Sequence, residues 1–173
     1  MFFLTVVTHQ RRRILCTDGS RAILREAIET VRRDRPFELR AMVLLPDHFH
    51  ALWVLPEGDA DFSVRMGLIK KLFTRTFLAA GGTEGASTPS RLRHRNRGVW
   101  AKRFYEHTIR NYRDYKRHLD YIHFNPVKHG HVQRACDWPW STFHSFVRKG
   151  EYPADWCKQI PMPCGVNIEP DKW

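Results

Sequence analysis

Four short segments of the chain have the residue pattern of β-strands. Residues 3–8 are rich in β-branched and aromatic side chains, and residues 37–45 are mostly apolar, as in a central strand. Residues 48–55 follow after Pro46 and Asp47 alone, so this segment should pair with the preceding one as an antiparallel hairpin. Residues 104–109 alternate well enough to predict a fourth strand.

Helical spacing of apolar residues appears between these strands. The predicted helices cover residues 23–31, 62–77 and 112–125. Ser20 and Asn111 are the expected N-caps of the first and third helices, and Pro36 and Pro126 are their expected ends. The second helix carries apolar residues on one side and basic residues on the other.

The order of these elements, β-α-β-β-α-β-α, predicts an α+β fold, a ferredoxin-like sandwich with a central antiparallel β-sheet. We expect the hairpin in the middle of the sheet and the helices on one of its faces. Residues 1–150 should form one domain, with residues 151–173 as a tail that packs on it or extends it. Residues 81–90 have no periodicity and predict a flexible loop.

The charge balance indicates a polyanionic partner. The 173 residues include 29 Lys and Arg against 18 Asp and Glu, a net charge of +11. Nucleic acid is the first candidate and an anionic membrane surface the second, with mere solubility as the plain alternative. No apolar run is long enough to span a membrane, so we expect no membrane partner. The four cysteines form no C-x-x-C pair, which argues against a zinc ribbon.

The triplet His48-Phe49-His50 falls inside a predicted strand. Alternate side chains of a strand share a face, so His48 and His50 point one way and Phe49 points the other. Two imidazoles at this spacing can converge on one divalent ion. By itself the triplet is equally typical of a packed or hydrated pair.

The third predicted helix places a tyrosine and an asparagine one turn apart. Its two stripes are Tyr115, Leu119 and Ile122, expected to be buried, and, about 90° away, Asp114, His118, Tyr121 and Asn125. Tyr121 could bring a phenol to the side of a metal ion, and Asn125 an amide oxygen. In the alternative interpretation, Tyr121 packs at the edge of the core with a hydrated hydroxyl, and Asn125 only ends the helix.

Six sequence blocks, spread over most of the chain, resemble the REP-associated tyrosine transposases of the single-tyrosine HUH endonuclease/transposase superfamily (IS200-like transposases). The blocks are RDRPF at residues 33–37, LPDHFH at 45–50, LPEG at 55–58, residues 100–110, DYIHFNPVKHG at 120–130 and WPWSTF at 138–143. Together they are highly specific.

The resemblance implies a site and a reaction. His48 and His50 match the metal-binding pair, Tyr121 matches the nucleophile, and Asn125 occupies the position of a third ligand. The implied cofactor is a divalent metal ion, Mg²⁺ or Mn²⁺. The implied enzyme is a transposase that cleaves and rejoins single-stranded DNA through a covalent 5′-phosphotyrosine intermediate. One chain is expected to supply both halves of the site, so a monomer is expected and a dimer is left open.

The implied partners are single-stranded DNA hairpins, the REP-type palindromes of bacterial genomes, which would place the protein in the bacterial cytoplasm, near the nucleoid. The basic residues expected to contact this DNA are Arg65, Lys70, Lys71, Arg75, Arg91, Arg93, Arg95, Arg97, Arg103, Arg110 and Lys128. Two other functions stay open: a catalytically inactive DNA hairpin-binding regulator, and a metal-dependent nuclease that uses water.

Overall fold

The computed structural model describes residues 1–86, 89, 93, 97–153 and 155–156 of the chain. The strands are β1 (Phe2–Val7), β2 (Glu38–Leu44), β3 (His48–Val54) and β4 (Tyr105–Thr108). The helices are α1 (Asp18–Asp34), α2 (Phe62–Ala79), α3 (Tyr112–Lys128) and α4 (Phe143–Arg148). Short 3₁₀ helices cover His9–Arg11 and Ala135–Asp137. No helix in this part of the chain combines the length and the apolar character that crossing a membrane requires.

The four strands form one antiparallel sheet in the order β2-β3-β1-β4. The predicted hairpin is confirmed, but β2 lies at an edge of the sheet and not at its centre. The segment after α3 covers that edge: the amide of Leu44 donates to the carbonyl of Trp140, and the amide of Thr142 donates to that of Met42, both at 2.9 Å. Because these hydrogen bonds replace a neighbouring strand, an apolar edge strand is protected from water.

Helices pack on both faces of the sheet, so the prediction that they share one face is wrong. On one face, the core joins α1 and α2 to side chains of β1 and β3, among them Leu4 and Phe49. On the other face, Phe3 and Leu52 pack with residues of α3 and α4. The reason is that β1 and β3 are buried along both of their alternating sets of side chains, so each face requires its own layer of helices.

Two predicted helix ends differ from the structure. The N-cap of helix α1 lies three residues before the predicted one: Thr17 is the cap, and its side chain accepts from the amide of Ser20. Helix α3 begins at the predicted cap Asn111, but it continues through Pro126. A proline within the last turn removes a single backbone hydrogen bond, so the helix can still close, with the amide of His129 donating to Asn125 at 3.0 Å.

The described beginning of the tail packs on α4. The Trp156 ring lies 5.4 Å from Phe143 and 4.6 Å from Tyr152, measured between centroids. The remainder of the predicted 151–173 tail and residues 87, 88 and 90 of the predicted 81–90 loop lie outside the described residues. The domain boundary at residue 150 stays a prediction.

Candidate functional site

The two histidines of β3 lie side by side on the face of the sheet that α3 covers. Their ring centroids are 4.9 Å apart, and His48 and His50 are only 3% and 1% exposed. Phe49, between them, enters the core on the opposite face. The alternation predicted from the sequence is therefore confirmed, and both imidazoles line one buried location.

His48 is held in one tautomer by the residue before it. Its Nδ1 lies 2.7 Å from a carboxylate oxygen of Asp47, and a carboxylate only accepts, so Nδ1 carries the hydrogen. In the neutral form of such a ring, the lone pair is on Nε2. Burial alone would raise the pKa of Asp47, but hydrogen bonds and charges from His48 and Arg11 outweigh it and lower this pKa to about 2. The carboxylate therefore stays ionised.

His50 is oriented from the neighbouring strand. Thr5 lies opposite it in the β1–β3 register, and the threonine Oγ1 is 2.8 Å from His50 Nδ1. Within the described part of the chain, Nε2 of His50 is buried and has no hydrogen-bond partner. Burial lowers the pKa of His50, and the nearby His48 and His129, whose rings can take up a positive charge, lower it further. The ring is thus neutral, which is the form that binds metals.

Tyr121 comes to this location from the middle of α3. Its ring centroid is 5.1 Å from that of His50, and the residue is 6% exposed. The phenol oxygen is itself buried, so the interpretation of a hydrated hydroxyl at the edge of the core does not fit. The ammonium of Lys128, two helical turns later, lies 5.0 Å from the centroid of the same ring.

Asn125 is fully buried one turn after Tyr121. Among the described residues, neither its carbonyl oxygen nor its amide nitrogen has a hydrogen-bond partner. A buried amide left unpaired costs about 1–3 kcal/mol, so its presence suggests that another group completes this location. Two imidazoles and an amide oxygen are ligands that suit Mn²⁺, and Mg²⁺ more weakly, so the residues fit the implied divalent ion.

His129 is a neighbour of the site that sequence reasoning did not assign to it. Its ring lies 5.2 Å from the ring of His48. The spacing of eight residues from Tyr121, slightly more than two helical turns, is the signal that could have found it, had α3 been expected to pass Pro126.

Three of the predicted DNA contacts are engaged within the protein. Arg65 is 3% exposed and donates to Asp59 and to backbone carbonyls around the ends of α1 and α2. The prediction that Arg65 contacts DNA is wrong, because its guanidinium group is buried. Lys70 donates to the carbonyl of Ala101 at 2.8 Å, and Arg97 pairs with Glu84.

Other predicted contacts are accessible. The exposed ones are Lys71, Arg75, Arg93, Arg103 and Arg110. Arg91 and Arg95 lie outside the described residues, and Lys128 is half-buried beside Tyr121. Helix α2 packs on the face of the sheet opposite the histidines, so DNA that reaches Lys71 or Arg75 has to pass around the sheet.

Arg103 lies at a cleft that borders the site. This cavity of about 280 Å³ is lined by Thr5, Val7, Arg103, Tyr105 and their neighbours. Thr5 is also the residue that contacts His50, so the cleft joins a cation and an aromatic ring to the buried histidines. As DNA contacts, all the accessible residues stay predictions.

Comparison with known proteins shows the family of the chain. A REP-associated tyrosine transposase of Escherichia coli (strain K12) is 47% identical over 159 residues, which cover 92% of this chain and 86% of the relative. This chain belongs to the REP-associated tyrosine transposase family. A putative REP-associated tyrosine transposase of Haemophilus influenzae is 39% identical over 156 residues, covering 90% of this chain and 86% of the relative.

The family also contains a solved structure with the same fold. It is a REP-associated tyrosine transposase bound to a REP hairpin; it matches with a TM-score of 0.75 at 45% identity, and covers 92% of this chain and 86% of its own. The predicted family and the α+β sandwich are thus confirmed. No protein-family model matches the chain.

Proposed function

We propose that this family member is a metal-dependent single-stranded DNA endonuclease and strand transferase that acts on hairpin DNA through a covalent phosphotyrosine. The observation that carries the proposal is that the Tyr121 ring of α3 lies beside the two histidine rings of β3. The ring centroids of His48 and His50 are 4.9 Å apart, and those of Tyr121 and His50 are 5.1 Å apart. A nucleophile beside a pair of side chains that can bind a metal ion is an arrangement suited to phosphodiester transesterification.

In the proposed step, the phenol oxygen of Tyr121 attacks phosphorus. A bond forms between that oxygen and phosphorus, and the bond from phosphorus to the 3′-oxygen breaks. The phenol loses its proton and the 3′-oxygen gains one, so the products are a 5′-phosphotyrosine and a free 3′-hydroxyl. The reverse attack by a 3′-hydroxyl rejoins DNA without ATP, because the new ester keeps the energy of the bond that was broken.

The surrounding residues provide orientation and charge. Asp47 lies at Nδ1 of His48, and Thr5 lies at Nδ1 of His50, which leaves Nε2 of each ring as the ligand atom. Asn125 adds a buried amide oxygen that has no hydrogen-bond partner among the described residues. A divalent ion bound by these groups would polarise the scissile phosphate and offset the charge that develops on it. The ammonium of Lys128, close to the Tyr121 ring, places a second positive charge where phosphate and phenol meet.

The proposed substrate is a single-stranded REP-type hairpin. The solved relative with the same fold is bound to a REP hairpin, and the net charge of +11 suits a polyanion. The cleft next to the site, with Arg103 and Tyr105 in its wall, is suited to a phosphate and a stacked base. The alternative function, an inactive DNA hairpin-binding regulator, would bind the same hairpin without cleaving it.

The test is a covalent adduct. A hairpin oligonucleotide labelled at its 3′ end is incubated with protein and Mn²⁺, then run on a denaturing gel, where a 5′-phosphotyrosine keeps the label on the protein. Tyr121→Phe should abolish this band. The matched control is Tyr112→Phe on the same helix, where the tyrosine is 77% exposed, and it should leave the band unchanged. His48→Ala or EDTA should also remove the band.

Each of the other outcomes would assign a different mechanism or function to the protein. An adduct that persists in Tyr121→Phe makes another residue the nucleophile. Metal-dependent cleavage with no adduct in the wild type favours a nuclease that uses water. Tight binding of the hairpin with no cleavage in any of the metals tested favours the regulator.

A further inference from the structure

A second cluster of potential metal ligands lies where β4 meets the beginning of α3. It consists of His107 on the strand and of Asp114 and His118 on the helix, one turn apart. One ligand atom from each residue lies within 4.8 Å of the other two. Nε2 of His107 is 2.8 Å from Asp114 Oδ2, and Nδ1 of His118 is 3.1 Å from Oδ1 of the same carboxylate.

We propose that His107, Asp114 and His118 form a second metal site, which takes a divalent transition-metal ion of the zinc class. Two imidazoles and one carboxylate are a common ligand set for Zn²⁺, with a fourth position left for water. This site uses none of the residues proposed to bind metal for DNA cleavage. It therefore stands independently of the proposed function.

The distances from the carboxylate of Asp114 to the two imidazoles are already close to those of a zinc site. With bonds of about 2.0–2.1 Å, the ligand atoms of a tetrahedral zinc site lie about 3.3 Å apart. The present separations of 2.8 and 3.1 Å are a few tenths of an ångström shorter. The first is a hydrogen bond, whereas Nδ1 of His118 is hydrogen-bonded to the backbone carbonyl of Asp114 at 2.9 Å. The two rings stack with their centroids 4.5 Å apart and their planes 16° from parallel. Because an imidazole binds a metal ion in the plane of its ring, one of the two rings has to turn out of this stack before both can bind the same ion.

Burial acts on both ligands of the helix. It lowers the pKa of His118. Burial raises the pKa of Asp114, but hydrogen bonds from His107 and the amide of Arg110 outweigh this, and the pKa is lowered. The His107 side chain is 24% exposed, which gives the ion a path from solvent.

The site would link two elements that position the tyrosine. His118 lies one turn before Tyr121 on α3. Phe3 lies between the two proposed metal sites: its ring centroid is 4.7 Å from that of His118 and 5.5 Å from that of His50. An ion between β4 and α3 would fix the first turns of α3 against the sheet. Its expected role is therefore to stabilise the position of the helix and not to contact DNA.

The test is metal stoichiometry in the full chain, with no cleavage assay. In His48→Ala/His50→Ala, which removes the first pair of imidazoles, equilibrium dialysis should still find one Zn²⁺ per chain. Adding His107→Gln, whose amide can still donate to Asp114, should weaken this binding at least tenfold. Co²⁺ provides an independent readout: the visible absorption of the tetrahedral ion should appear in the double variant and be lost in the triple variant.

Thermal melting in EDTA checks the fold of each variant. If His107→Gln unfolds, His118→Asn removes a ligand from the helix side and replaces it. Zn²⁺ should raise the Tm of the double variant and not that of the triple variant. Absence of bound Zn²⁺ in the folded double variant would overturn the proposal, as would equal affinity in the folded triple variant.

Discussion

The hydroxyl of Thr5 offers a sharp test of how the histidine pair is oriented. Thr5 is 1% exposed, and its Oγ1 lies 2.8 Å from Nδ1 of His50. Thr5→Val keeps the shape of the side chain and its place in β1, but removes this hydrogen bond. For Nε2 of His50 to bind a metal, Nδ1 has to carry the proton, and in the variant this N–H faces a methyl group.

The expected loss follows from the cost of an unpaired donor. Leaving one buried N–H without an acceptor costs about 1–3 kcal/mol. Because metal binding fixes the hydrogen on Nδ1, this cost falls on the metal-bound state, and the metal affinity should weaken by about 5- to 150-fold at about 1.4 kcal/mol per factor of ten. Losses of about 10- to 100-fold are usual when the partner of a metal-binding histidine is removed.

The measurement is a Mn²⁺ titration against a fluorescent chelator, in the His107→Gln background so that only one site is counted. Thr5→Ser is the matched control, since it keeps the hydroxyl, and it should bind Mn²⁺ within about twofold of the parent. If Thr5→Val binds Mn²⁺ as tightly as Thr5→Ser, with both variants folded, then the hydroxyl does not select the tautomer and the reasoning fails.

Three further variants test other parts of the structure. Arg65→Gln should lower the free energy of unfolding in urea by about 1–3 kcal/mol through lost buried hydrogen bonds, and should leave hairpin affinity unchanged; weaker binding by the folded variant would restore Arg65 as a DNA contact. Burial raises the pKa of the Cys16 thiol to about 11. In a chain whose other cysteines are replaced by serine, the rate of labelling by a thiol reagent should therefore rise about tenfold per pH unit from pH 8 to 10. A plateau of the rate near pH 9 would contradict this. Lys128→Gln should slow adduct formation at saturating DNA by about 2- to 30-fold, equivalent to the 0.5–2 kcal/mol of a cation above an aromatic ring, whereas an unchanged rate would exclude that role.

Backbone periodicity explains why the sequence predicted much of the site. A strand alternates its side chains whatever surrounds it, so the common side of His48 and His50 could be predicted without knowing the fold. Helical spacing likewise placed Tyr121 and Asn125 one turn apart. The approach of Tyr121 to His50 is a different matter: it depends on how α3 packs on the sheet, and the sequence offered it only through the family resemblance.

Features that depend on distant neighbours were not predicted. Arg65 resembles its basic neighbours on α2, and only the arrival of carbonyls from the end of α1 makes it a buried structural residue. Helical spacing placed Asp114 and His118 on one stripe of α3, but His107 joins them across the turn between β4 and α3, where no periodicity applies. The edge position of β2 was also missed, because its apolar pattern is typical of a central strand and the segment that covers it begins only at Trp140.

The backbone hydrogen bonds that join β2 to Trp140 and Thr142 also affect the tendency of the protein to aggregate at high concentration. An uncovered strand edge is a template on which another chain can add a strand, the first step of many kinds of fibrous aggregation. Here one outer strand already has backbone partners from its own chain, and the strand at the other end, β4, is only four residues long. Among the described residues, the sheet therefore leaves little room for self-templated growth.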